Sequence, residues 1–165
     1  MARRSVMPHP EGPRQHGPGM VPGINAGGFL FLSAIRGRDP TTGTTSNDTH
    51  EQARQALRNV ADVLAASGAA LSDVVKVTLY LHDLKYRTAF HEVWMEAFPK
   101  DPPARIAFQV ADANPVPGGN SHFALDVIAL APERKSVRAR PERSARALSR
   151  PGTKKTKNAA KRGRR

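Results

Sequence analysis

The chain has 165 residues and no cysteine, which excludes disulfides, thiolate catalysis and cysteine-based metal sites. Its formal net charge of +12 is uneven, because residues 133–165 hold 14 Lys and Arg against 2 Asp and Glu, whereas residues 17–132 hold 9 against 11. The basic isoelectric point therefore describes the C-terminal segment and excludes no class of chemistry for the preceding residues.

The composition predicts three parts of the chain. We expect a flexible N-terminal arm over 1–16, one folded domain over 17–132 and a basic, disordered tail over 133–165. The longest apolar run, Phe29 to Ile35, is too short to cross a bilayer, and no apolar stretch follows the N-terminal charges. These features predict a soluble cytoplasmic protein that does not associate with membranes.

The first predicted elements lie within residues 1–68. Residues 1–28 are rich in Pro and Gly, which favours an irregular arm or a short edge strand. The continuous apolar run from Phe29 to Ile35 predicts a strand buried on both faces. Residues 48–51, Asp-Thr-His-Glu, have the pattern of a capping box, and apolar residues follow at helical spacing as far as Gly68. This pattern predicts a helix.

The second half of the domain repeats the alternation of strand and helix. A β-branched strand is predicted from Val74 to Leu81, and residues 86–98 return to a helical period with Trp94 in an apolar core stripe. The last two strands are predicted at 105–110 and 123–130. The order β-α-β-α-β-β predicts an α+β fold in which two helices pack on one face of a sheet. We expect the open face to meet another subunit.

Arg105 is the residue that most needs a partner. It follows two prolines, and strand alternation places it on the same face as Ala107 and Gln109. A guanidinium binds a carboxylate through two parallel hydrogen bonds, and burying it unpaired is costly. We therefore expect either an internal acid, such as Asp101 or Asp126, or a site for an anionic ligand.

Histidines do not indicate a metal site. They show no i, i+4 pair and no nearby acid at ligand spacing. They are His9, His16, His50, His82, His91 and His122. We expect no metal and no cofactor.

The order of the elements and three short segments resemble the RidA (YjgF) family over roughly residues 20–131. The segments are residues 51–60, EQARQALRNV, residues 73–78, DVVKVT, and residues 103–105, PAR. The resemblance implies a chorismate-mutase-like fold and a homotrimer with a ligand cleft at each subunit boundary. It also implies a small 2-imino or 2-oxo acid as ligand, and the hydrolysis of reactive enamines and imines to 2-oxo acids and ammonia.

The resemblance also assigns a substrate-binding set. The family's carboxylate-binding arginine falls on Arg105, and its cysteine falls on Ala107. Its water-orienting glutamate falls on Ala124, its asparagine on His91 and its tyrosine on Met20. The resemblance thus implies that the family's carboxylate-binding arginine is present in this chain, whereas the polar groups around it are replaced.

Two residues are candidates to replace the missing glutamate in catalysis. Strand alternation puts His122 and Asp126 on the same face as Ala124, so either one, together with His91, is expected to orient water. The alternative is that Asp126 pairs with a nearby base or cap and His122 is a surface residue at the end of a loop. A third possibility is a trimer that binds a metabolite without catalysis.

The tail carries a separate prediction. Its cations can neutralise phosphates without reading sequence, and no aromatic residues interleave with them. They are Lys154, Lys155, Lys157, Lys161, Arg162, Arg164 and Arg165. We expect nonspecific binding of nucleic acid or another polyanion, with a purely solubilising extension as the alternative.

Overall fold

In the computed structural model, which describes residues 4–11, 19–113 and 119–132, six strands form one sheet and two α-helices pack against it. The helices are α1, Thr49–Ala65, and α2, Arg87–Ala97. The strands are β1 Ser5–Val6, β2 Gly23–Ala26, β3 Phe29–Leu32, β4 Val74–Leu81, β5 Ala104–Gln109 and β6 Phe123–Leu130. The predicted α+β architecture is confirmed, with two more strands near the N-terminus than the sequence order implied.

The sheet order is β1-β2-β3-β6-β4-β5. Strands β4 and β5 are parallel and are connected through α2, whereas the other neighbours are antiparallel. A parallel pair needs a crossover connection, and here the crossover is the helix. This connection brings α2 against the face of β5 that holds Arg105.

Strand β3 differs from the strand predicted for Phe29 to Ile35. It ends at Leu32, and the expectation of burial on both faces was wrong, because the side chains alternate between buried and exposed. Leu30 and Leu32 are 0% and 5% exposed, whereas Phe29 and Phe31 are 39% and 42% exposed. The helices cover one face of the sheet, so an apolar run in this strand does not imply two buried faces.

The N-terminal segment includes an edge strand. Ser5–Val6 pairs with β2, and the following Met7 is 2% exposed in the core. Strands β2 and β3 are joined by Gly27 and Gly28, whose φ angles of 60° and 86° suit a two-residue hairpin turn. The flexible arm predicted for 1–16 is therefore a strand and a buried side chain over part of 4–11, while 12–16 lie outside the described residues.

Helix α1 begins where the sequence predicted. The Asp48 side chain accepts a hydrogen bond from the Glu51 backbone N–H at 2.9 Å, which caps the helix. The reciprocal half of the capping box is absent among the described contacts, since the Asp48 N–H donates to Ser46 Oγ instead. Helix α1 packs so closely on Gly37 that a Cβ there would overlap the Gln52 backbone.

The face of the sheet that the helices leave open is largely apolar. Its exposed large side chains on β3, β5 and β6 are Phe29, Phe31, Ile106, Phe108 and Leu130. Among the residues that the structure describes, no helix is long and apolar enough to cross a membrane.

Candidate functional site

Arg105 lies on the helix-covered face of the sheet. In the parallel ladder it is opposite Val77, and Ala107 is opposite Leu79. Val77 and Leu79 are 2% and 1% exposed, so this face belongs to the core side of β4. Because β5 is an edge strand, the Arg105 side chain reaches from this edge toward α2.

Helix α2 supplies the described partners of the Arg105 guanidinium. Arg105 Nη2 lies 3.0 Å from His91 Nδ1. Its Cζ lies 4.6 Å from the centroid of the Trp94 ring and 5.8 Å from that of Phe90, within cation–π range. A guanidinium only donates, so His91 Nδ1 is the acceptor of this hydrogen bond.

The charge of Arg105 remains incompletely satisfied. No ion pair within residues 4–11, 19–113 and 119–132 joins it to a carboxylate, so the alternative of an internal pairing with Asp101 or Asp126 is not observed within one chain. Its Nη1 is shielded from solvent and has no hydrogen-bond partner. Burial, and secondarily the nearby Arg87, lowers the pKa of Arg105. An unpaired buried donor is costly, so the Arg105 guanidinium lacks a partner among the described residues.

Asp126 and Ala124 lie on the opposite face of the sheet. Their neighbours Leu125 and Val127 are 0% and 1% exposed in the core, whereas Asp126 is exposed on the open face. The structure therefore does not bring these two residues to Arg105 within one chain. Among the described ion pairs, none includes Asp126, so no base partner is seen for it there.

His122 precedes β6, so strand alternation does not place its ring. The ring instead packs between the starts of the two helices: Nδ1 lies 2.8 Å from Thr49 Oγ1, and the ring stacks on Tyr86 with centroids 3.8 Å apart. Burial, followed by the positive charges of Lys85 and His82, lowers the pKa of His122. His122 is thus a half-buried, packed residue rather than a free surface histidine.

His122 and Met20 are also distant from Arg105 in the sheet. Phe123, next to His122, pairs with Leu81, which is four residues along β4 from the partner of Arg105, about 13 Å at the usual strand rise. Met20 precedes β2, which is separated from β5 by three intervening strands, or about 19 Å between strand axes. Among the predicted site residues, the structure joins Arg105 to His91 and keeps Ala107 on the same face.

The remaining predictions concern the tail and metals. The seven predicted polyanion-binding residues, 154–165, lie outside the described residues, so their role stays a prediction. Within the ranges that the structure describes, no group of three His, Asp or Glu residues is arranged to hold a metal ion.

Sequence reasoning missed the buried amide of Gln52. Its Nε2 donates to the carbonyls of Ser46 and Asn120 at 2.6 and 2.9 Å, and its Oε1 accepts from the His122 N–H at 2.9 Å. Gln52 is 0% exposed, so this one side chain ties α1 to the loop before it and to the start of β6. The available signal was an amide at a core position of the helical pattern.

Sequence reasoning also assigned Trp94 to the core alone. It is 3% exposed, which confirms its burial, but its ring also contacts the guanidinium of Arg105. The signal was present in the β-α-β connection, because a crossover helix packs against the strand that follows it.

Comparison with known proteins identifies a family for residues 17–129. The model of the family described as Endoribonuclease L-PSP matches residues 17–129. A RutC family protein of Pyrococcus horikoshii is 42% identical over 89 residues, which are 53% of this chain and 71% of the relative. The human 2-iminobutanoate/2-iminopropanoate deaminase is 36% identical over 83 residues, 50% of this chain and 61% of the relative.

Solved structures share the fold. The crystal structure of Escherichia coli TdcF with bound serine superposes with a TM-score of 0.66 at 27% identity. The match covers 76% of this chain and 98% of TdcF.

Proposed function

Because the chain belongs to the Endoribonuclease L-PSP family, which includes RidA (YjgF), we propose that it hydrolyses small carboxylate-bearing enamines and imines to 2-oxo acids and ammonia. The observation that carries the proposal is the Arg105 guanidinium, which has no carboxylate partner in the described part of the chain and one unsatisfied donor. The human relative is named for two 2-imino acids, and TdcF was solved with serine. All three ligands have a carboxylate next to the carbon that bears nitrogen.

Arg105 acts in this proposal as an anchor rather than as a reacting group. It binds the substrate carboxylate, while water adds to the carbon of the protonated C=N bond. The resulting carbinolamine transfers a proton to nitrogen and expels ammonia, which leaves the 2-oxo acid. An enamine first takes a proton on carbon to become the imine. Holding the carboxylate fixes the C=N carbon in one place and lowers the entropic cost of the attack.

We further propose that the protein is a homotrimer with the cleft completed by a second copy. Within one chain, Asp126, Ala124 and Met20 lie far from Arg105, so any of them that contacts the ligand does so from a neighbouring copy. The apolar open face of the sheet supports this assembly, since exposed apolar surfaces of this kind favour association.

The proposed assembly makes a prediction for the open face. Phe31→Glu places a charge among exposed apolar side chains, and we expect it to dissociate the trimer because desolvating a carboxylate at an interface is costly. Phe31 is 42% exposed, and Leu84, 54% exposed on the 3-10 turn before α2, provides a matched control. Sedimentation should give a monomer for Phe31→Glu and a trimer for Leu84→Glu. A trimeric Phe31→Glu variant would place the interface elsewhere.

The proposed activity predicts that the protein accelerates the hydrolysis of freshly generated 2-aminoacrylate. The imine forms of alanine and of 2-aminobutanoate should also be substrates. The measurement is formation of the 2-oxo acid above the spontaneous rate, monitored by a coupled dehydrogenase assay. The product is pyruvate from 2-aminoacrylate and the alanine imine, and 2-oxobutanoate from the imine of 2-aminobutanoate. A folded trimer that binds 2-oxobutanoate without accelerating hydrolysis would instead support the metabolite-binding alternative.

The same assay tests the two residues proposed to orient water. Asp126→Asn keeps the size of the side chain but removes the base, and we expect turnover to fall about 10²-fold if Asp126 activates water. His122→Gln serves as the comparison, because His122 is packed against Tyr86 and Thr49. Unchanged turnover in both variants would exclude both residues from proton transfer.

A further inference from the structure

The face of α2 that meets Arg105 carries a second cation. Arg87, His91 and Trp94 follow one another at i, i+4 and i+7, which places them on one side of the helix. His91 and Trp94 both contact the Arg105 guanidinium, at 3.0 Å and 4.6 Å. Arg87 is exposed one turn before His91, with its Cβ about 5–6 Å from that of His91. The two guanidinium groups therefore border the same stretch of surface.

No acid in the described part of the chain neutralises this pair of cations. Arg87 takes part in no described ion pair. Burial is the larger cause of the lowered pKa of Arg105, and the charge of Arg87 is the second cause. The acids of α2 are engaged with the other helix, Glu92 with His50 at 2.7 Å and Glu96 with Arg54 at 3.4 Å. The local charge is thus uncompensated.

We propose that the ligand of this site carries two anionic groups, one bound by Arg105 and the other by Arg87. The inference rests on the proposed function and narrows its substrate class to 2-imino dicarboxylates, such as the imines of acidic amino acids. A monocarboxylate neutralises one of the two guanidinium groups and leaves the other unpaired. A dicarboxylate pairs with both and relieves their mutual repulsion.

The experiment compares two stable product analogues of equal chain length by calorimetry on the full-length protein. We expect 2-oxoglutarate to bind at least about tenfold more tightly than 2-oxopentanoate, as one additional charge-assisted hydrogen bond implies. Arg87→Ala should remove this preference and leave the affinity for 2-oxopentanoate within about twofold. Arg58→Ala, which removes an exposed cation from α1, should preserve the preference.

The outcomes separate this inference from the proposed function. Equal affinities for the two acids, with turnover of 2-aminoacrylate intact, overturn the dicarboxylate assignment alone. A loss of preference in Arg58→Ala equal to that in Arg87→Ala shows an effect of net charge and also overturns it. Failure to bind either acid, combined with no turnover, overturns the proposed function itself.

Discussion

Arg105→Ala is expected to abolish carboxylate binding and turnover while leaving the fold and the trimer intact. Truncating one partner of a charged, hydrogen-bonded pair costs about 2–5 kcal/mol, so the dissociation constant for 2-oxobutanoate should rise at least about 30-fold. Stability should change little, because the substitution also removes an unsatisfied donor and a cation next to Arg87. Calorimetry measures carboxylate binding, the pyruvate assay measures turnover, and sedimentation measures the trimer.

Arg105→Lys is the conservative control for this result. Lysine keeps the positive charge but lacks the planar fork, so we expect weak residual binding and turnover between those of the wild type and Arg105→Ala. The role of a carboxylate anchor would be refuted by an Arg105→Ala variant that binds 2-oxobutanoate normally. A variant that loses its trimer would show instead that Arg105 is structural.

Gln52→Leu is expected to be the most destabilising of the substitutions considered for the protein's interior. It removes three hydrogen bonds that join α1 to the loop at Ser46, to Asn120 and to His122. Each buried polar group left without a partner costs about 1–3 kcal/mol. Allowing for water reaching one of the carbonyls, the free energy of unfolding should fall by about 3–5 kcal/mol. Urea unfolding followed by circular dichroism measures this change.

Gln55→Leu makes the same chemical change one turn along α1. Gln55 is half-buried, and its described hydrogen bonds run to Asn59 and Arg58 within its own helix. Its loss should cost about 1 kcal/mol, the net contribution of a typical hydrogen bond. Equal losses in the two variants would mean that the cross-links of Gln52 do not contribute beyond an ordinary helix position.

The elements that the sequence predicted well are those with a strong period. Strands β4 and β6, at Val74–Leu81 and Phe123–Leu130, match their predicted bounds, and α2 lies within its predicted range. Strand β3 was less predictable, because an apolar run has no period and does not say which faces are covered. Strand β1 depends on pairing with residues 18 and 20 positions away, which no local pattern records.

For the candidate site, the sequence identified Arg105 and its requirement for a partner. The sequence left two questions open. One was whether the partner of Arg105 is an internal acid or a ligand, and the other was whether His122 or Asp126 lies near the reacting carbon. Strand alternation placed Asp126 correctly on the same face as Ala124. Alternation within one strand does not say, however, on which face of the sheet the Arg105 guanidinium lies. That depended on where α2 packs, and the structure places Arg105 under α2 while Asp126 faces the open side.

Composition, periodicity and family resemblance thus determined, from the sequence alone, the fold class, the family and the arginine that needs a partner. The tertiary structure decided that His91, Trp94 and Phe90 are its neighbours, that no carboxylate among the described residues pairs with it, and that the charge of Arg87 acts on it. The physical reason is that a strand and a helix each specify their own faces through local geometry. Which two faces meet depends on burial across the whole sheet, a property of distant residues together.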